Sequence, residues 1–221
     1  MATTATEICN IALMRVRADE IGDIDEQSKN AEKCRVLYPQ VRDTVLTEFS
    51  WGFAKSSRSL SLKTEKPDEW LFLYDYPNDC LKIRNLVPTN SDGVSLQGLS
   101  DKPVVEYEVI LDSTNKKSIA TNHENVKAVY TRAITDPRLW DAVVDNLIAW
   151  KLASELAIPL GGDSAKTYRS EALRQYAMDE SKAQSLNANE KWPRKSQHQA
   201  RSISGRTQGV RSRSDIINNR G

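Results

Sequence analysis

The hydrophobic period of this chain changes twice. It is helical up to about residue 51, alternating from 52 to 134, and helical again from 135 to 191. Apolar residues three and four apart make one face of a helix, and alternation makes one face of a strand. A chain with this order is predicted to be α+β. We read it as a helix bundle (1–51 and 135–191) carrying an inserted, small antiparallel β-rich section (52–134). A fourth segment, 192–221, has neither period.

The first helix is predicted from a capping box. Thr4 and Glu7 stand three apart, so each side chain reaches the other's backbone N–H, and Ala5, Ile8 and Ala12 follow at helical spacing out to about Arg17. Residues 18–27, ADEIGDIDEQ, read as an acidic loop. Ser28 is placed to cap a second helix with Ala31, Cys34, Tyr38, Val41 and Val45 on one face. Pro39 lies inside it and predicts a kink or a restart, because proline lacks the N–H and clashes one turn back.

Beyond Trp51-Gly52 the strand signals are Ser59 to Leu62, Trp70 to Tyr74, Leu81 to Leu86, Val104 to Ile110 and Val126 to Ala133. No helix-length crossover separates them, which favours antiparallel pairing. Asp136-Pro137 predicts an N-cap and first helical residue. Trp140, Val143, Val144, Leu147, Ile148, Trp150 and Ala157 form a broad apolar face behind it. After Gly161-Gly162, Asp163 is placed to cap a last helix carried by Ala165, Tyr168, Ala172, Leu173 and Tyr176 out to about Glu190.

The final segment holds Arg194, Lys195, Arg201, Arg206, Arg211, Arg213 and Arg220 against Asp215 alone. Such a composition does not order itself, since fixing backbone costs ~1–2 kcal/mol per residue. An extended basic arm is expected to lie on a partner or a sister subunit. The whole chain is nearly neutral, at +1, which argues against bulk attraction to nucleic acid or to an anionic membrane.

Chemistry-bearing patterns are scarce. There is no Gly-rich phosphate loop, H-E-x-x-H or G-x-S-x-G, and the two histidines, His123 and His198, stand far apart. Cys9, Cys34 and Cys80 lack metal-ligand or disulfide-framework spacing and read as reduced thiols. Asp19, Glu20, Asp23, Asp25 and Glu26 lack the calcium-loop pattern; they read as a solvated acidic loop or one that meets basic residues of a neighbouring subunit. Trp70, Phe72, Tyr74 and Tyr76 alternate with Leu71, Leu73 and Asp75 rather than with Lys or Arg, so they read as a core strand, not as a base-stacking platform. No apolar run reaches the ~18–20 residues of a membrane span, and the N-terminus lacks the pattern of a signal peptide. The expectation is a soluble protein that is not an enzyme, with no cofactor and no metal.

One set of residues is more specific. The helix Ile8-Cys9-Asn10-Ile11-Ala12-Leu13 is followed by Ile21-Gly22-Asp23-Ile24-Asp25-Glu26 and Ala31-Glu32-Lys33-Cys34-Arg35-Val36-Leu37-Tyr38-Pro39. Then come Val41-Arg42-Asp43-Thr44-Val45-Leu46, Trp51-Gly52-Phe53-Ala54, Trp70 to Pro77 and Asp79-Cys80-Leu81-Lys82-Ile83-Arg84. This resembles the head-to-tail adaptor proteins of tailed bacteriophages, the group that includes tail tubular protein A. The resemblance extends over residues 5 to about 185 in layout and 5 to about 86 in residues.

The resemblance implies a virion protein at the head-tail interface, made in the bacterial host cytoplasm. It implies a homo-oligomeric ring, of about twelve copies as closed cyclic symmetry allows, beneath the portal protein. The tail nozzle, tube or hub protein binds the other face, and genomic DNA passes through the channel without specific binding. The C-terminal arm then becomes the portal-docking segment. Trp192, the arm cations Arg194, Lys195, Arg201, Arg206, Arg211 and Arg213, and the sparse apolar anchors Ile203, Val210, Ile216 and Ile217 are its candidate contacts. Phe49, Trp51 and Phe53, with Trp140 or Trp150, are the candidate packing between bundle and insertion; the alternative is that Trp51 lies in a subunit interface. The alternative is a nucleic-acid-binding protein that grips phosphates with the same arm.

Overall fold

The computed structural model describes residues 4–67, 69–89 and 105–189. Among them are four α-helices and two three-stranded antiparallel sheets, an α+β fold. The predicted strand start at Val104 and the whole arm from Trp192 lie outside the described residues.

Helix α1 spans Ala5–Arg15 and α2 spans Lys29–Glu48. The Thr4–Glu7 capping box is formed in both directions, and Ser28 Oγ accepts from the Ala31 N–H. Arg17, at φ 57°, turns the chain out of α1 two residues past its end. Pro39 causes no restart: α2 is unbroken through it. Pro39 and Arg35 are both exposed, so the proline ring lies outside the buried face of α2.

The insertion contains β1 (Lys55–Ser59), β2 (Phe72–Asp75), β3 (Cys80–Pro88), β4 (Tyr107–Leu111), β5 (Lys117–Thr121) and β6 (Val126–Arg132). One sheet has the order β1-β6-β3 and the other β2-β5-β4. The alternation at Ser59 to Leu62 is not a strand of its own. The Leu60 N–H still bonds to Val126 in the first sheet, whereas the Lys63 N–H bonds to Leu73 in the second. This stretch is where the chain passes between sheets. Strand β5, Lys-Ser-Ile-Ala-Thr, has no aromatic and little alternation and is not among the strand signals, yet it is the central strand of its sheet and four of its residues are buried.

Helix α3 begins later than expected. Asp136 caps a short 3-10 turn, Pro137–Leu139, and α3 itself spans Ala142–Leu160 behind Asp141. Trp140 therefore lies outside the helix. A second 3-10 turn, Gly162–Ser164, contains Asp163 and leads into α4, Ala165–Asn189. Gly162 has φ +51°, a conformation glycine adopts without a Cβ penalty.

Helix α3 is buried on nearly every side, with Val144, Leu147, Ile148, Leu152 and Leu156 fully enclosed, as expected of a helix apolar all round. It packs on α1 and α2. This bundle core includes Ile8, Leu13, Tyr38, Val45, Leu46 and Trp51, and is joined by Ala172, Tyr176 and Ala183 of α4. A second core lies inside the insertion, around Tyr74, Ile83, Leu86, Ile119 and Tyr130. No helix among the described residues is long and apolar enough to cross a membrane.

Candidate functional site

The joint between bundle and insertion is built from the end of α2. Phe49 is its C-cap, in extended conformation. Trp51 follows, buried at 2% exposure, and its indole Nε1 donates to the Val45 carbonyl at 2.9 Å. Phe49 meets the Trp51 ring edge-on, centroids 5.0 Å apart, and Phe53 stacks on it at 5.9 Å. The Trp51 carbonyl accepts from Arg84 Nη2 of β3 at 2.7 Å, while Arg84 Nε donates to Thr131 Oγ1 of β6 at 2.9 Å. One guanidinium thus ties the tryptophan to two strands. From the other side, Asn187 Oδ1 of α4 accepts the Gly52 N–H at 2.7 Å. A Cβ at Gly52 would stand 3.1 Å from that oxygen.

Trp140 and Trp150 belong to the same bundle core, although the ring contacts of Trp51 are with Phe49 and Phe53. The Trp140 indole donates to the Asp145 carboxylate. Burial pushes that carboxyl up from its usual value, against the pull of the indole. Trp150 Nε1 donates to Asp179 Oδ2 of α4 at 3.2 Å, and the Arg15 guanidinium lies 3.5 Å from its ring centroid. Arg15 also donates to Asn146, and desolvation lowers it to about 10. These are satisfied structural networks holding α1, α3 and α4 together.

The acidic loop is clamped. Asn10 of α1 binds Ile21 twice, donating from Nδ2 to its carbonyl at 2.8 Å and accepting its N–H at 2.9 Å. Glu26 Oε2 accepts the N–H groups of Gly22 at 2.8 Å and Asp23 at 3.3 Å. Hydrogen bonds from Ser28 and then Gly22 hold the Glu26 carboxyl below its ordinary value. Asp19, Glu20, Asp23 and Asp25 point outward. Among the described residues, no group of three or more His, Cys, Asp or Glu is disposed to hold a metal.

The insertion also carries a cleft of about 600 Å3, drawing on both sheets and lined by Arg58, Lys63, Asp75, Tyr76, Lys116 and Lys117 among others. Lys63 is committed: its Nζ bonds to the Asp112 carboxylate, to Ser118 Oγ at 2.9 Å and to Asp75 at 3.3 Å. No local pattern marks this cleft, because Arg58 of β1 and the Lys116-Lys117 pair at β5 belong to different sheets. His123 is half-buried, and its carbonyl accepts the Tyr74 hydroxyl at 3.2 Å. The arm candidates Trp192 to Ile217, and His198 with them, lie outside the described residues.

No protein-family model matches this chain, and no curated protein matches it.

Proposed function

We propose that this protein is a structural adaptor: a ring of copies that joins the portal of a tailed phage to its tail and surrounds the channel through which the genome passes. The observation that carries the reading is the order helix, helix, two small sheets, helix, helix, with Phe49, Trp51 and Phe53 packed where α2 hands over to the insertion. That layout supports the resemblance of residues 5–86 to the head-to-tail adaptors. In this reading the body is bundle plus insertion, and the arm from residue 192 docks on the portal. Its arginines pair with carboxylates through a planar fork, and Ile203, Val210, Ile216 and Ile217 supply apolar anchors. The protein works in the virion at the head-tail interface, without catalysis.

The second reading, nucleic-acid binding, draws on the seven cations of the arm set against Asp215. Co-sedimentation separates the two. Full-length protein and a version ending at residue 192 are spun with the cognate portal ring, and separately with duplex DNA at low and high salt. Binding to the portal that needs the arm supports the adaptor. DNA binding that weakens with a log–log salt slope of about -0.9 per phosphate contact, without portal association, replaces it with the second reading. Circular dichroism of the shortened protein should match a folded body.

A further inference from the structure

The cleft in the insertion has a charge problem. Four cations line it, with Asp75 the carboxylate among its lining residues. Lys63 is neutralised by Asp75 and Asp112. Arg58, Lys116 and Lys117 are exposed and form no salt bridge among the described residues; Lys117 stands 5.7 Å from the Tyr76 ring centroid. The acidic loop has the opposite problem. Asp19, Glu20, Asp23 and Asp25 are exposed and form no salt bridge among the described residues. Residues 1–191, without the basic arm, carry 24 cations and 29 acids, so the cationic cleft stands out against an acidic body.

Among the described residues no ion pair joins the two patches within one molecule. The loop precedes the first turn of α2, and the insertion begins beyond its last. Along the chain the twenty residues of α2, about 30 Å of helix at 1.5 Å per residue, lie between the loop and the insertion. Both patches are also prepared for contact. Asn10 and Glu26 fix the loop backbone, and Lys63 with Asp112 fixes the wall of the cleft. Groups held in place before binding lose less entropy when they meet.

We propose that the cleft receives the acidic loop of a second copy of this chain, in a head-to-tail contact. Arg58, Lys116 and Lys117 of one copy then face Asp19, Glu20 and Asp25 of the next. Two different patches make a heterologous interface, which repeats until it closes as a ring or runs on as a filament. The inference deepens the adaptor reading and rests on it only for ring closure; the pairing itself stands without a portal. A phosphate chain is the competing occupant. The cleft offers three cations at one spot that form no salt bridge among the described residues, whereas a nucleic-acid surface tracks the backbone with an extended basic groove.

The test uses full-length protein without portal. A carbodiimide couples a carboxylate to an amine in contact and leaves no spacer. In a mixture of isotopically labelled and unlabelled protein, mixed-label cross-links joining Lys116 or Lys117 to residues 19–25 are expected. Arg58→Glu with Lys116→Glu and Lys117→Glu should weaken self-association roughly a hundredfold, the scale set by placing like charges across an interface. Asp19→Lys with Glu20→Lys and Asp25→Lys should do the same, and it leaves Asp23 and Glu26 to hold the loop. Mixing the two variants, or combining both reversals in one chain, should restore association, which sedimentation velocity reads directly. Restoration also shows that the variants are folded.

The inference is overturned if the lysines cross-link only within one chain or to other acids. It is overturned equally if either reversal leaves association unchanged, if wild-type protein shows no association, or if the mixed variants fail to recover. Saturable binding of a short duplex DNA, lost on reversal of the cleft while self-association persists, assigns the cleft to phosphate instead. Portal binding is measured separately, so its failure sinks the adaptor reading and leaves these outcomes untouched.

Discussion

Arg84 holds the backbone of Trp51: its Nη2 donates to the Trp51 carbonyl at 2.7 Å, from a strand that begins 29 residues beyond it. Its Nε is spent on Thr131, which is itself buried. The bundle and the insertion are therefore joined by a ring packed in one core and a guanidinium reaching from the other. Trp51→Ala should cost about 3–5 kcal/mol, the usual range for truncating a core aromatic. In a body of this size that lowers Tm by about 6–20 °C. Arg84→Ala should cost about 2–3 kcal/mol by stranding the Trp51 carbonyl and the Thr131 hydroxyl. Arg84→Lys should recover only part of it, since an ammonium lacks the fork. Thermal melts of the three variants check this.

Asp112 gives the insertion an acid-sensitive latch. Its carboxylate accepts from Lys63, from the Lys116 N–H at 2.9 Å, and from the Thr114 N–H and hydroxyl at 2.8 Å each. The bond to Lys63, then that to Lys116, holds its carboxyl well below the ordinary value. A depressed acid stabilises the fold above its unfolded value of about 3.9, and the contribution is lost as pH falls through the folded value. Lys63 is raised, chiefly by Asp112, so its share is present below its unfolded value and lost as pH rises through the folded one. Asp112→Asn should lower Tm at pH 7, and the gap to wild type should narrow steadily below about pH 3.9. Melts from pH 2 to 7 measure it.

Asp145 carries the opposite sign. It is buried beside Trp140, and desolvation raises its carboxyl. A raised acid is ionised at neutral pH at a cost to the fold, and that cost disappears as pH falls below the unfolded value of about 3.9. Asparagine keeps an oxygen for the Trp140 indole and removes the charge. Asp145→Asn is expected to raise Tm at pH 7 and to lose that advantage below about pH 4. A lower Tm at pH 7 would contradict the assignment.

The three thiols should be nearly silent in the native protein. Cys9 and Cys34 are fully buried between α1 and α2; their mutual hydrogen bond pushes the Cys9 thiol up and draws Cys34 down, so burial is what shields Cys34. Burial raises Cys80, whose Sγ donates to the Tyr76 hydroxyl at 3.3 Å. The thiolate is the reactive form. A colourless disulfide reagent that releases a chromophore should titrate Cys80 slowly in native protein, and Cys9 and Cys34 only after denaturant is added. Rapid native reaction of more than one thiol would contradict the packing of α1 on α2.

The helices were legible because their signals are local. Thr4 with Glu7, Ser28, and the spacing of Ala31, Cys34, Tyr38, Val41 and Val45 require only neighbours a turn apart, and the structure has each as expected. The start of α3 was not legible. Asp136-Pro137 does initiate a helical turn, but Trp140 is drawn into the core and tied to Asp145, and this breaks the segment before α3 begins. Strand β5 was invisible for a related reason. Its place at the centre of a sheet comes from β2 and β4 on either side, not from its own weak β composition.

The sequence by itself determined the α+β class and the order of its parts, because hydrophobic period and capping are encoded within a few residues. It also determined the charge of the loop and of the arm. Only the tertiary structure decided that Arg84 would meet Trp51, and that Arg58, Lys63, Lys116 and Lys117 would share one cleft. Those contacts span tens of residues, and their geometry is set by where the chain passes from one sheet to the other. Periodicity says which face of an element is buried; it does not say which distant element buries it.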